Sequence, residues 1–479
     1  MVMSNKYFFN GWLNMKKIII IYGELSNGVQ KKAIEVLSEL LLDYTNSYTA
    51  CYKYGDKYDL SDCVPVYIGT KSNNAYIKLN SQKQLSHSEE YSISVKNNTV
   101  IIEGNDDSGV LYGCIDFYNN YLVKNEYPHD DRYRINPIDF DFPDYEYSSY
   151  PSVSDRGIWT WGHVIYDYRG FFDNMTKLKM NTVIIWNDYV PVNAHEMVEY
   201  AHDCGIKVIW GFSWLWDVDC LKVDINNINS YSCDIFKKYE REYASLGGDG
   251  IYFQSFTELR TDTINGVLIA DAVTDFVNNT ARHFYEKYPD IELQFGLHAT
   301  SVKEKLDYIK NVNPKIRIVW EDCGAFPFSY IPNDISEFDE TMDFTKSISL
   351  LRGNNDKFGV VTKGFTKLDW FNFEHTEGTL NVGISSKHKK RSLIERKRKI
   401  WKYIQAYWLI NADKAYDAVK LMSKLKNGNL CITALVEDGM FEENIMYPVA
   451  LYSEMMWNTN ENIKDMMAEV ALRDFVDFA

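Results

Sequence analysis

Apolar and polar positions fall into two rhythms along this chain. Over roughly the first hundred residues, short apolar runs read as strands: KKIIIIYG (16–23), VPVYIG (64–69), YSISV (91–95) and TVIIEG (99–104). Between the first two lies VQKKAIEVLSELLLDY (29–44), where Ile34, Leu37, Leu40, Leu41 and Tyr44 share one helical face and predict a helix lying on a small sheet. A second helix is predicted from about Ser108. The stretch 124–150 is polar, holds three of the eleven prolines and has no sustained period, which predicts an extended connection.

A different rhythm starts at Arg156. Seven continuous apolar runs, RGIWTW, NTVIIWND, IKVIWG, GIYFQSF, IELQFGLHAT, IRIVWEDCG and KFGVVTKGF, alternate with helical segments. That alternation is the mark of a parallel sheet covered on both faces. An open doubly wound sheet would alternate in the same way, but neither GxGxxG nor GxxxxGK[ST] occurs, and a closed barrel is the better expectation. The predicted class is therefore α/β. A small α+β domain (15–125) and a connecting segment (126–150) precede a (β/α)8 TIM-like barrel (151–391). A helical region (392–479) then completes the barrel or packs on it, and the eighth strand is unassigned.

Composition narrows the chemistry. A chain of 479 residues with 46% hydrophobic residues can build more than one core. Its net charge of −16 argues against nucleic acid as a partner. The eight cysteines are scattered without a CxxC pair, as expected of reduced thiols in a cytoplasmic protein. No run approaches the roughly 18 apolar residues of a membrane helix, so no membrane partner is expected. Polar residues interrupt the first apolar pieces and no cleavage site follows, so no signal peptide is expected, and Met15 is an alternative start.

Barrels of this kind carry their chemistry at the C-terminal strand ends. The exits read Trp159 and Trp161; Trp186 and Asp188; Trp214 and Trp216; Glu258; His298; Trp320, Glu321 and Asp322; then Trp370. Tryptophan faces beside polar groups suit a pyranose ring, which makes a carbohydrate the expected partner. Hydrolysis of a glycoside needs two carboxyl groups, one protonated and one ionised. Glu258 and Glu321, leaving strands four and six, are the expected pair. The apolar strand ahead of Glu258 favours its protonated form, and Asp322 is an alternative second carboxylate. A structural ion pair of Glu258 with Arg260 or Arg156 is the competing reading.

Other constellations are weaker. His195, Glu199 and His202 share a helical face, but HExxH is absent and no metal is expected. The basic run KHKKRSLIERKRKI (387–400) reads as a solvated helix face. No GxSxG elbow occurs, and no cofactor is implied.

The segment EEYSISVKNNTVIIEGNDDSGVLYGCIDFYNNYL (89–122), with its helix opening at Gly109 to Gly113, resembles the small domain that precedes the barrel in β-N-acetylhexosaminidases and α-glucuronidases. SDRGIWTW (154–161), KMNTVIIWND (179–188) and AHDCGIKVIW (201–210) resemble their first three barrel strands. By that resemblance Arg156 would bind sugar hydroxyls and Asp188 would line the sugar pocket. The hexosaminidases end strand four with an Asp-Glu pair, whereas here the strand runs Phe256-Thr257-Glu258. The lone glutamate is more similar to the α-glucuronidase arrangement, in which it is the general acid and carboxylates of later strands supply the base.

The expectation is a glycoside hydrolase acting on a glucuronoside or N-acetylhexosaminide. The alternative is a catalytically silent carbohydrate-binding protein. Homo-oligomerisation is left open.

Overall fold

The computed structural model describes residues 17–45, 48–61, 63–125, 142–161, 165–186, 189–215, 222–256, 261–298, 302–321, 324–330, 335–367, 379, 381–383, 387–426, 428–436 and 441–479. The chain forms two compact units, Met1–Pro151 with Asp203–Gly205, and Ser152–His202 with Ile206–Ala479.

The first unit holds a six-stranded sheet of order β2-β1-β3-β5-β4-β6, formed by β1 (Lys17–Tyr22), β2 (Ala50–Lys53), β3 (Cys63–Gly69), β4 (Tyr91–Lys96), β5 (Thr99–Gly104) and β6 (Tyr145–Ser149). The helices are α1 (Gly28–Thr45), the short α2 (Ala75–Asn80) and α3 (Asp107–Asp116). The buried stripe of α1 is Ala33, Val36, Leu37, Leu40 and Leu41, with Ile34 and Tyr44 at its margin. Asp106 caps α3 by accepting from the Gly109 amide at 2.8 Å. A Cβ on Gly109 would strike the Glu90 carbonyl, so glycine is needed there to let helix and strand backbone meet. Strand β6 lies inside the stretch expected to be a connector. It pairs antiparallel with β4, its alternation hidden by the polar residues of an edge strand.

The second unit is a closed barrel of eight parallel strands: β7 (Asp155–Trp159), β8 (Thr182–Trp186), β9 (Lys207–Gly211), β10 (Gly250–Phe253), β13 (Glu292–His298), β14 (Arg317–Glu321), β15 (Phe358–Phe365) and β16 (Leu430–Val436). A small hairpin, β11 (Thr263–Ile264) and β12 (Val267–Leu268), interrupts the series. Helices α4 (Tyr168–Lys177), α5 (Ala194–Asp203), α6 (Ser232–Glu242), α7 (Ile269–Lys287), α8 (Leu306–Ile309) and α9 (Phe338–Ser349) fall between the strands. Helix α10 (Lys387–Leu425), broken at Asn411, precedes the eighth strand, so the C-terminal region closes the barrel. Helices α11 (Tyr447–Trp457) and α12 (Ile463–Ala471) follow. Among the described residues no helix is long and apolar enough to cross a membrane.

Strand alternation decides which residues fill the barrel. At the N-terminal end, Arg317 bridges Asp155 at 2.7 Å and Glu292 at 2.8 Å, and Lys207 reaches Asp155 at 2.6 Å. Burial works against the Asp155 charge, but Arg317 and Lys207 outweigh it and hold the carboxyl below its usual range. Above this lies an apolar layer that includes Trp159, Ile184, Ile209, Tyr252, Val319 and Val361.

Candidate active site at the barrel mouth

Glu321 ends β14 on the same face as Arg317 and Val319, so it points into the barrel. It is 2% exposed. The Tyr252 hydroxyl and the Gln254 amide both donate to its Oε1. Its Oε2 faces Lys363 Nζ at 3.6 Å. A carboxylate that only accepts is the complement of these donors. Burial, and then the Glu321 charge, push the Tyr252 phenol well above its ordinary range and keep it a donor.

Gly296 makes this arrangement possible. A Cβ at that position would land on the Tyr252 hydroxyl and Glu321 Oε1. Lys363 shares the inward parity of Val361, and a bulge follows it: between Thr362 and Phe365 strand β15 carries one residue more than β16. The amides of Lys363 and Gly364 turn to the Pro327 carbonyl, at 3.2 and 2.9 Å. The ammonium donates to Tyr330 Oη at 2.9 Å, with the Trp159 and Tyr330 rings 5.4 and 4.5 Å from it. His298, the register partner of Glu321, sits below its ordinary pKa because it is half-buried and faces the Lys363 charge, with Glu321 opposing in part.

Trp159, Trp161 and Trp186 build an aromatic wall beside these groups. Trp161 lies 5.4 Å from Trp159, nearly parallel, and 4.4 Å from Trp186. Gln254 Oε1 and Trp159 Nε1 are buried and lack a hydrogen-bond partner among the described residues. The site therefore offers a carboxylate, an ammonium, an amide oxygen, an indole N–H and flat apolar faces. Among the described residues no cluster of ligating side chains could hold a metal.

Of the residues expected from the sequence, the barrel mouth brings together Glu321, His298, Trp159 and Trp161. Three others are placed elsewhere, Arg156 and Trp320 by strand alternation and Trp214 by stacking beyond the end of β9. Arg156 is fully buried on the opposite face of β7 from Trp159, where it donates to the backbone carbonyls of Val153, Ser154 and Lys179 and lies 5.2 Å from the Trp457 ring centroid. These contacts make it a packing residue and not a sugar ligand. Trp214 stacks on Phe253 at 3.6 Å and on Phe284 of α7 at 5.5 Å, in the layer outside the strands. Trp320, one residue before Glu321, points outward to Phe328 and to Phe344 of α9. Glu258, Asp188, Trp216, Asp322 and Trp370 lie outside the described residues. His195 pairs with Glu199 at 3.4 Å, whereas His202 turns to Asp249 at 2.9 Å.

Tyr252, Gln254, Lys363 and Tyr330 were not singled out from the sequence. The available signal was parity: Tyr252 and Gln254 alternate with outward residues, and Lys363 is a charge within an otherwise apolar strand.

No family model and no curated protein matches the chain. Solved structures do. A GH138 enzyme targeting pectin rhamnogalacturonan II is similar with a TM-score of 0.56 at 13% identity, over 94% of this chain and 65% of its own. CpGH84B matches with 0.55 at 10% identity, over 95% of this chain and 70% of its own. A β-N-acetylhexosaminidase from Bacteroides fragilis matches with 0.55 at 13% identity, over 96% of this chain and 91% of its own. This chain thus spans just under two thirds of the length of the first of these. At such identities the likeness establishes the shared fold.

Proposed function

We propose that this protein is a glycoside hydrolase. The observation that carries the reading is Glu321, a carboxylate buried at the C-terminal mouth of the barrel under a tryptophan wall, with donors holding one oxygen and the other facing Lys363. That geometry suits a nucleophile or a general base. Glu258 is the proposed general acid, because it follows strand four by a few residues; this part rests on its place in the sequence. Trp161 and Trp186 would stack on the sugar, and His298 and Gln254 would meet its hydroxyls. Asp188, Trp216, Asp322 and Trp370 complete the proposed rim.

The substrate class proposed is a glucuronoside or an N-acetylhexosaminide. Support comes from the hexosaminidase and the pectin-directed enzyme among the similar folds. A cytoplasmic setting, argued from the scattered thiols, belongs to the same proposal.

The test is hydrolysis of a panel of aryl glucuronides, N-acetylhexosaminides, glucosides and galactosides by the wild type, Glu321→Gln and Glu258→Gln. One class should be cleaved, and each variant should lose about 10²–10⁴-fold in rate. Binding without turnover by the wild type would establish the catalytically silent alternative instead.

A further inference from the structure

Tyr330 reaches the barrel mouth on a loop that is tied down at several points. The amides of Phe328 and Ser329 return to the Ala325 carbonyl at 2.9 and 3.2 Å, and the Pro327 carbonyl is held by amides of β15. Phe326 and Phe328 are fully buried, 4.9 Å from Trp408 of α10 and 5.0 Å from Trp320. The Tyr330 ring is half-buried against the apolar layer that holds Trp159. Its hydroxyl oxygen accepts from Lys363 Nζ at 2.9 Å, and the same ammonium faces Glu321 Oε2 at 3.6 Å. An ammonium can only donate, so the phenol proton lies outside this bond. Tyr330 Oη and Glu321 Oε2 stand no farther apart than these two legs together. Both can therefore flank one glycosidic bond, where paired catalytic groups are about 5–9.5 Å apart.

We propose that Tyr330 is a catalytic residue of this mouth, that its hydroxyl hydrogen-bonds the departing oxygen of the glycoside, and that Lys363 couples it to Glu321. The inference rests on the hydrolase reading and leaves proton transfer to Glu258. Before reaction the Lys363 charge is shared between an anion and a neutral phenol. With Glu321 as nucleophile, Oε2 bonds to the sugar carbon while the electron pair of the breaking C–O bond stays with the departing oxygen. With Glu321 as base, Oε2 takes the proton of an attacking water and the same bond breaks. Either way the carboxylate charge is neutralised, and the ammonium is left facing the Tyr330 oxygen. A phenol that accepts from an unbalanced cation is a stronger donor. Its bond to the departing oxygen is then strongest when that oxygen carries most charge, and an interaction made mainly in the transition state raises kcat.

The test is kcat/KM of the wild type and of Tyr330→Phe on 2,4-dinitrophenyl, 4-nitrophenyl and phenyl glycosides. The glycone is the one that the wild type cleaves among glucuronides, N-acetylhexosaminides, glucosides and galactosides. Phenylalanine keeps the ring in its packing and removes only the hydroxyl, and urea unfolding checks that the variant is folded. The leaving groups rise in basicity in the order named, so help at the departing oxygen matters most for phenol. Tyr330→Phe should lose less than about tenfold on the dinitrophenyl glycoside and about 10²–10³-fold on the phenyl glycoside, the cost of removing one such donor. No loss, or the same loss on all three, overturns this inference and leaves the hydrolase reading standing, because packing or a contact with a sugar hydroxyl would not follow the leaving group. If the wild type cleaves none of the four glycone classes, the hydrolase reading fails and this inference with it.

Discussion

Lys363 and Glu321 form the pair on which the barrel mouth should turn. Their side chains are 0% and 2% exposed, with Nζ 3.6 Å from Oε2. Changing Lys363 to Met keeps most of the stem and removes the charge. Glu321 then remains buried beside the Tyr252 and Gln254 donors but has lost its ammonium. Removing one partner of a buried pair costs about 3–5 kcal/mol, and the two remaining hydrogen bonds place the expected loss near the lower end, about 3 kcal/mol. Changing Glu321 to Gln strands the ammonium instead, with Tyr330 still accepting, and a similar loss is expected. In Lys363→Met/Glu321→Gln neither charge is left alone, so the double variant should lose at least about 2 kcal/mol less than the sum of the single changes. Urea unfolding followed by tryptophan fluorescence measures this for the barrel, because all the tryptophans except Trp12 belong to the second unit. A coupling below about 0.5 kcal/mol would show that the two charges do not sense each other. The electrostatic account of the site would then fail.

Gly296→Ala should lower both stability and turnover. The added methyl displaces Tyr252 or Glu321, an overpacking cost of about 1–3 kcal/mol, and kcat should fall further than KM rises. Arg156→Met should destabilise by about 2–5 kcal/mol by leaving buried carbonyls unmet, with KM unchanged; a raised KM at intact stability would return Arg156 to the sugar. His298 is held below its ordinary pKa of 6.5, so the unfolded chain takes up its proton first on acidification. Its contribution is complete above about pH 6.5 and is lost as the pH falls through the lowered folded value, so thermal melts of His298→Asn should lose less between about pH 7 and 5 than those of the wild type.

The seven β/α alternations were legible because each strand is a continuous apolar run with a helix after it. Strand β16 was not, since LCITALV follows a long polar helix and breaks that spacing. Strand exits were found as places, and period two then sorted their residues. Glu321 and His298 share parity with inward neighbours, while Trp320 and Arg156 fall one residue out of step and face the outer layer. Lys363 has the parity of inward Val361, two residues before it, so period two already turns it into the barrel, where a lysine reads as an anomaly until its partner Glu321 is seen. Glu258 and Asp322 are a different matter, because they lie outside the described residues.

Strand β16 is the last to be made and the one that joins β15 to β7. At about 5–20 residues per second, the stretch between Phe365 and Leu430 takes a ribosome roughly 3–13 s to produce. Until then β15 and β7 lack the neighbour that the finished fold gives each of them, and unpaired strand edges of this kind can pair with another chain. The hazard for this protein is thus one of timing. The finished barrel has no edge to protect.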